Sequence, residues 1–61
     1  MNAAEGPVRI LMADDEEVFL QATADLLRRE GYLVDTARDG LEATQFLKEN
    51  TYDFLVSDLM M

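Results

Sequence analysis

The sequence predicts an α/β fold: three parallel strands in the order 2-1-3, with one helix on each face of the sheet. Three observations predict it. First, apolar runs of strand length alternate with helix-period segments as strand, helix, strand, helix, strand, the pattern of a parallel sheet with helical crossovers. Second, Val8–Ala13 (VRILMA) is nearly continuous in apolar residues, which suits a strand covered on both faces. Third, Tyr32–Ala37 (YLVDTA) is β-branched but partly polar, which suits a sheet edge. A crossover to one side of strand one, and a second returning past it, put strand one at the centre and the helices on opposite faces.

Residues 1–7 read as a short disordered lead, and 8–61 as the domain. The lead lacks the basic start and apolar stretch of a signal peptide. Four acids, Asp14 to Glu17, follow strand one and favour the positive end of a helix. The helix runs from about Glu17 to Glu30, with Val18, Phe19, Ala22, Leu26 and Leu27 forming an apolar stripe. Arg28 and Arg29 read as a solvated pair near its negative end. Gly31 stands where a left-handed closing residue is wanted. After strand two, Asp39-Gly40-Leu41-Glu42 has the spacing of a capping box, with Asp39 in place of Ser or Thr. The second helix carries Ala43, Phe46 and Leu47 on one side and stops near Asn50. Phe54–Ser57 (FLVS) is the third strand, apolar on both faces, and it runs directly into Asp58.

Composition narrows the function. A chain of 61 residues is at most one domain, and one of this size buries only roughly 60% of the surface its unfolded chain exposes. With neither cysteine nor histidine, it has no disulfide and no thiolate or imidazole ligand for zinc. The net charge of −8 repels nucleic acid and anionic membrane surfaces. No apolar run approaches a membrane span, and the cytoplasm is the expected location.

The chemistry sits where the topology converges. In a 2-1-3 sheet the gap between strands one and three is a switch point, and ligands bind there beyond the carboxyl ends of the strands. Asp14 and Asp15 follow strand one, and Asp58 follows strand three. Two carboxylates about 4 Å apart repel by roughly 4 kcal/mol at an effective dielectric of 20. A hard divalent cation relieves this, and Mg²⁺ prefers a few carboxylates, waters and phosphate oxygens. A cation there also neutralises an incoming phosphoryl group, making transfer onto an aspartate feasible. Taken singly, the acids after Ala13 also suit a helix cap, and an Asp after a strand suits a turn. The conjunction of an acidic pair, a third Asp and the 2-1-3 order favours a site. No Gly-rich loop follows strand one, which argues against a dinucleotide fold.

Ile10-Leu11-Met12-Ala13-Asp14-Asp15-Glu16, the Glu30-Gly31-Tyr32 turn, Ala37-Arg38-Asp39-Gly40-Leu41-Glu42-Ala43 and Tyr52-Asp53-Phe54-Leu55-Val56-Ser57-Asp58-Leu59-Met60-Met61 together resemble the first half of a response-regulator receiver domain. The resemblance implies the βαβαβ half of a flavodoxin-like, doubly wound fold. It implies that a histidine kinase or phosphotransfer protein donates a phosphoryl group to Asp58 in a Mg²⁺-dependent reaction. It also implies that Asp14 and Asp15 serve the metal and that the Met60 backbone carbonyl is a further ligand. Such a domain is a phosphoacceptor in signalling rather than an enzyme.

The Pro and Gly that continue the family's motif, its switch Ser or Thr and its later Lys are not in the chain. The expectation is therefore a truncated receiver with impaired phosphorylation. Its strand-three edge would be open, and a homo-oligomer through that edge is expected. The alternative is a non-catalytic half-domain that self-associates or pairs with another receiver. An aspartate-nucleophile phosphatase is disfavoured, because Met60 stands where that chemistry wants a second carboxylate.

Overall fold

A computed structural model of the chain describes residues 6–57. The elements are β1 (Arg9–Ala13), α1 (Glu17–Arg29), β2 (Leu33–Ala37), α2 (Gly40–Glu49) and β3 (Phe54–Ser57). The strands form one parallel sheet in the order β2-β1-β3. The architecture is the predicted one, half of a flavodoxin-like α/β fold. Val8 and Tyr32 fall just outside the strands anticipated for them, although the Leu33 N–H donates to the Val8 carbonyl at 2.9 Å.

The central strand divides its side chains between two small cores, because successive residues of a strand point to opposite faces. Ile10 and Met12 pack with Leu20 and Ala24 of α1 and Val34 of β2. Leu11 and Ala13 pack with Ala37 of β2 and Ala43 of α2, with Phe46 and Tyr52 at the margin. Leu11 and Leu20 are wholly buried. Each such side chain contributes about 1.5–3 kcal/mol relative to an exposed one.

The buried stripe of α1 shares only Leu27 with the expected one. Leu20, Ala24 and the half-buried Leu27 face the sheet, whereas Val18, Phe19, Ala22 and Leu26 are exposed. Both sets have helical spacing. Leu20, Ala24 and Leu27 stand at i, i+4 and i+7, the row that docks on Ile10 and Met12. In α2, Ala43 is buried and Phe46 half-buried as expected, but Leu47 is exposed.

The punctuation of the helices follows the sequence closely. Gly31 takes φ +98°, a conformation that side-chain-bearing residues rarely adopt. There the Gly31 N–H donates to the Arg28 carbonyl (3.0 Å) and the Tyr32 N–H to the Leu27 carbonyl (3.2 Å), the paired bonds that close a helix at a left-handed glycine. Asp39 Oδ1 accepts the Glu42 N–H at 2.8 Å, capping α2. The return bond of the box is displaced by one residue: Glu42 Oε1 accepts from the Arg38 N–H rather than from Asp39. Arg28 is not merely solvated. Its guanidinium donates to the Val34 carbonyl at 2.7 Å and meets Asp25 at 3.4 Å, which covers part of the outer edge of β2. On the other side of the sheet, β3 pairs only with β1 among the described residues, and Phe54, Leu55 and Val56 are exposed.

A polar network closes the amino end of the sheet. Arg9 and Asp53 exchange bonds: the Arg9 N–H donates to Asp53 Oδ2 and the Asp53 N–H to the Arg9 carbonyl, both at 2.8 Å. The Arg9 guanidinium donates to Asn50 Oδ1 (3.2 Å) and lies 5.1 Å from the centre of the Tyr52 ring. The Tyr52 hydroxyl donates to Asp35 Oδ2 at 2.6 Å.

Two outcomes follow for stability. Replacing Leu20 with Ala should cost about 2–5 kcal/mol by emptying the α1 core. Val18→Ala, on the exposed side of the same helix, should stay within about 0.5 kcal/mol. Chemical denaturation of the two variants checks the phase of the helix, and equal losses would refute it. Burial and the neighbouring Asp35 push the Tyr52 hydroxyl up to about 12 from its ordinary 10.0. The folded state therefore favours the protonated phenol. That stability is complete below about pH 10 and is lost as pH rises through about 12. Tyrosinate absorbance in a Tyr32→Phe background reads Tyr52 alone, and a midpoint near 10 would contradict the bond to Asp35.

Candidate functional site

The strand register brings the chemistry to one end. Ala13 is level with Ala37 of β2 on one side and with Ser57 of β3 on the other. The three strands thus end together, the edge of a parallel sheet at which ligands bind in this class of fold. The Asp14 N–H donates to the Ala37 carbonyl at 3.1 Å, carrying the β1–β2 ladder one residue further.

Asp14 is buried at 6% exposure, whereas Asp15 is exposed. Asp14 Oδ1 accepts the Glu16 N–H at 2.9 Å, which turns the chain sharply from β1 into α1. The helix-cap reading of these acids was thus partly right: Asp14 holds the turn, while Glu16, at the cap position itself, makes no side-chain cap bond. Among the described residues the other oxygen, Oδ2, takes no hydrogen bond. A buried carboxylate with an oxygen to spare is chemically suited to a hard cation. Asp58 and Met60, the other expected contributors, lie outside the described residues. Among the described residues no three acidic side chains are grouped closely enough to hold a metal ion.

The residues beyond the carboxyl ends of the strands are acidic, with Asp15, Glu16 and Glu17 after β1 and Asp39 and Glu42 after β2. The sequence reading assigned no role to Arg38, which follows β2 directly. Its N–H donates to Glu42 Oε1 at 3.0 Å, and its guanidinium lies 4.0 Å from Glu17 Oε1. The signal was available, since Arg38 is the basic residue that follows a strand rather than opening one or ending a helix.

Comparison with known proteins places the fold in a family. The model of the response regulator receiver domain matches residues 10–61. The chain belongs to the response regulator receiver domain family. It is 40% identical over 90% of its length to the response regulator MprA of Mycobacterium sp. (strain KMS), covering 24% of that protein. It is 41% identical over 88% of its length to the response regulator RR06 of Streptococcus pneumoniae, covering 25% of that protein. It is 34% identical over 87% of its length to hybrid signal transduction histidine kinase B of Dictyostelium discoideum, covering 3% of that protein. The chain thus spans about a quarter of the length of the response regulators it matches. No solved structure matches it. Receiver domains act in two-component signalling and are not a classical enzyme family. No described helix is long and apolar enough to cross a membrane.

Removing the Asp14 side chain tests its part in the turn. Asp14→Ala should cost about 1 kcal/mol through loss of the bond to Glu16. It should also accelerate exchange of the Glu16 amide, with little change at Gly31. Unchanged exchange at Glu16 would mean that the turn does not depend on the carboxylate.

Proposed function

We propose that this receiver domain accepts a phosphoryl group on Asp58 from a histidine kinase or phosphotransfer protein. Asp14, Asp15, Asp58 and the Met60 carbonyl would hold Mg²⁺ for that transfer. The observation that carries the reading is the level register of Ala13 and Ser57, since Asp14 and Asp58 are the next residues on the two strands. The family match supports it, and one relative is named a histidine kinase.

In this reading the Asp58 carboxylate attacks phosphorus, the phosphorus–nitrogen bond of a phosphohistidine breaks, and an acyl phosphate forms. The leaving imidazole nitrogen keeps the bonding pair. Bound Mg²⁺ supplies positive charge for the phosphoryl oxygens. Asp14 contributes a carboxylate whose position is fixed by its bond to Glu16. The exposed Asp15 completes the pair from the solvent side.

Radiolabelled acetyl phosphate with Mg²⁺ tests the assignment. Slow labelling confined to Asp58 is expected from the 61-residue chain. Asp58→Asn should abolish the label, and label persisting in that variant would overturn the site. Titration with Mg²⁺ alone should shift the amide resonances of Asp14 and Asp15. Shifts confined to the amino end of the sheet would count against the metal site.

A second reading is favoured by the open side of β3. Among the described residues β3 pairs only with β1, and its exposed apolar side chains suit pairing with a second copy of the chain. Light scattering at tens of micromolar should then report a dimer or larger species. A folded monomer would refute self-association.

A further inference from the structure

The two ends of the sheet carry very different charge. Of the chain's 5 basic residues, Arg9 opens β1, Arg28 and Arg29 end α1, and Lys48 lies in the last turn of α2. Both helices run antiparallel to the strands they join, so all four of these residues lie toward the amino end. Arg38 alone stands at the carboxyl end, facing a rim of Asp14, Asp15, Glu16, Glu17, Asp39 and Glu42. An incoming phosphoryl donor is an anion and would be repelled by such a rim.

The attachment of Arg38 is rigid at the backbone and loose at the tip. Its main-chain N–H is fixed to Glu42, whose own N–H is held by the cap residue Asp39. Its guanidinium, by contrast, meets Glu17 only at 4.0 Å, and both side chains are more than half exposed. An exposed pair of this kind is worth little and is readily exchanged for a better partner. A phosphoryl group is such a partner, since guanidinium donors match phosphate oxygens in geometry and charge. Ala37 and Ser57, at the ends of the two outer strands, are two strand spacings apart, about 10 Å. An extended arginine and a phosphoryl group together span that distance.

We propose that Arg38 is an anion-orienting residue of the site, parked on Glu17 when the site is empty and transferred to the phosphoryl oxygens when it is filled. This rests on the phosphoacceptor reading of Asp58. Arg38 and the metal then have opposite electrostatic relations to the site. Its charge favours the phosphoryl group and disfavours Mg²⁺ binding alone.

That opposition gives a test that a merely structural role would not pass. The probes are Mg²⁺ alone and the beryllium trifluoride anion, a tetrahedral phosphoryl mimic, added with saturating Mg²⁺. Binding is followed by calorimetry and by fluorine resonance. Arg38→Gln should weaken the monovalent anion roughly two- to threefold and tighten divalent Mg²⁺ alone roughly sixfold, as expected for one unit charge about 8 Å away in a water-like dielectric. Glu17→Gln should do the reverse, because it releases Arg38 and removes an acid from the rim. Arg38→Lys should restore Mg²⁺ binding and part of the anion affinity. If both ligands move in the same direction in Arg38→Gln, or neither moves while the unmodified chain binds both, the role of Arg38 falls and the phosphoacceptor reading stands. If the unmodified chain binds neither probe, both fall.

Discussion

The rest of the structure depends on the burial of β1 between two helices. A five-residue strand supplies apolar side chains to both faces of the sheet, so neither core exists without it. Ile10 and Met12 fix where α1 docks, and Leu11 and Ala13 fix where α2 docks. The two helices then determine which way the chain returns, and therefore that β2 and β3 flank β1 rather than follow one another. The same constraint places the end of β1 at the middle of the sheet's carboxyl edge. Asp14 is buried because it leaves a buried strand, and its bond to Glu16 turns the chain outward before the second carboxylate, Asp15, reaches solvent.

Much of this was legible because the signals were local or obligatory. The apolar run of β1 admits few positions other than a sheet centre. Gly31 could be read as a helix stop because a positive φ there costs other residues strain, and Asp39 because its oxygen has an unpaired N–H three residues on. The phase of α1 was not legible. Apolar residues stand at 18, 19, 20, 22, 24, 26 and 27, around most of the helix, so periodicity alone supports more than one buried stripe. The choice is made by tertiary fit. Leu20 reaches the side of β1 that carries Ile10 and Met12, whereas Val18 and Phe19 face away. The second oxygen of the capping box was misassigned for a related reason. Glu42 has a flexible side chain, and the Arg38 N–H at the end of β2 offers it a donor that only the folded chain brings close.

The site residues divide along the same line. Asp14 and Asp15 stand out in the sequence by their place after a buried strand, and the proposed Asp58 and Met60 fall within the residues that the family match covers. Arg38 was hidden because its significance lies in what is absent around it. A single cation in a chain of mixed charge is unremarked until the topology sorts the others to the opposite end. The sorting itself has a simple cause. Basic residues favour the carboxyl ends of helices and acidic ones their amino ends, and in a parallel α/β sheet all helix amino ends lie at the carboxyl edge of the strands. Helix electrostatics alone therefore makes that edge acidic, a field that favours cations and penalises an anion arriving without one.

The two ends of the sheet are also built for different purposes. At the amino end, Arg9, Asn50, Tyr52, Asp53 and Asp35 satisfy one another across two strands and a loop, and Arg28 covers a carbonyl on the outer edge of β2. Interlocking bonds of this kind resist local opening, because breaking one leaves its partners without a substitute. Among the described residues the contacts at the carboxyl end are looser: a turn bond from Asp14, the cap of α2 with the Arg38 N–H on Glu42, and an exposed ion pair at 4.0 Å. A small domain has little stability to lose. Concentrating its interlocked polar bonds at the end away from the crevice leaves the carboxylates and Arg38 free to be arranged for charge rather than for packing. Substitutions in the Arg9 network should therefore act on the whole fold, whereas substitutions at Asp15, Glu17 or Arg38 should act on what the crevice binds.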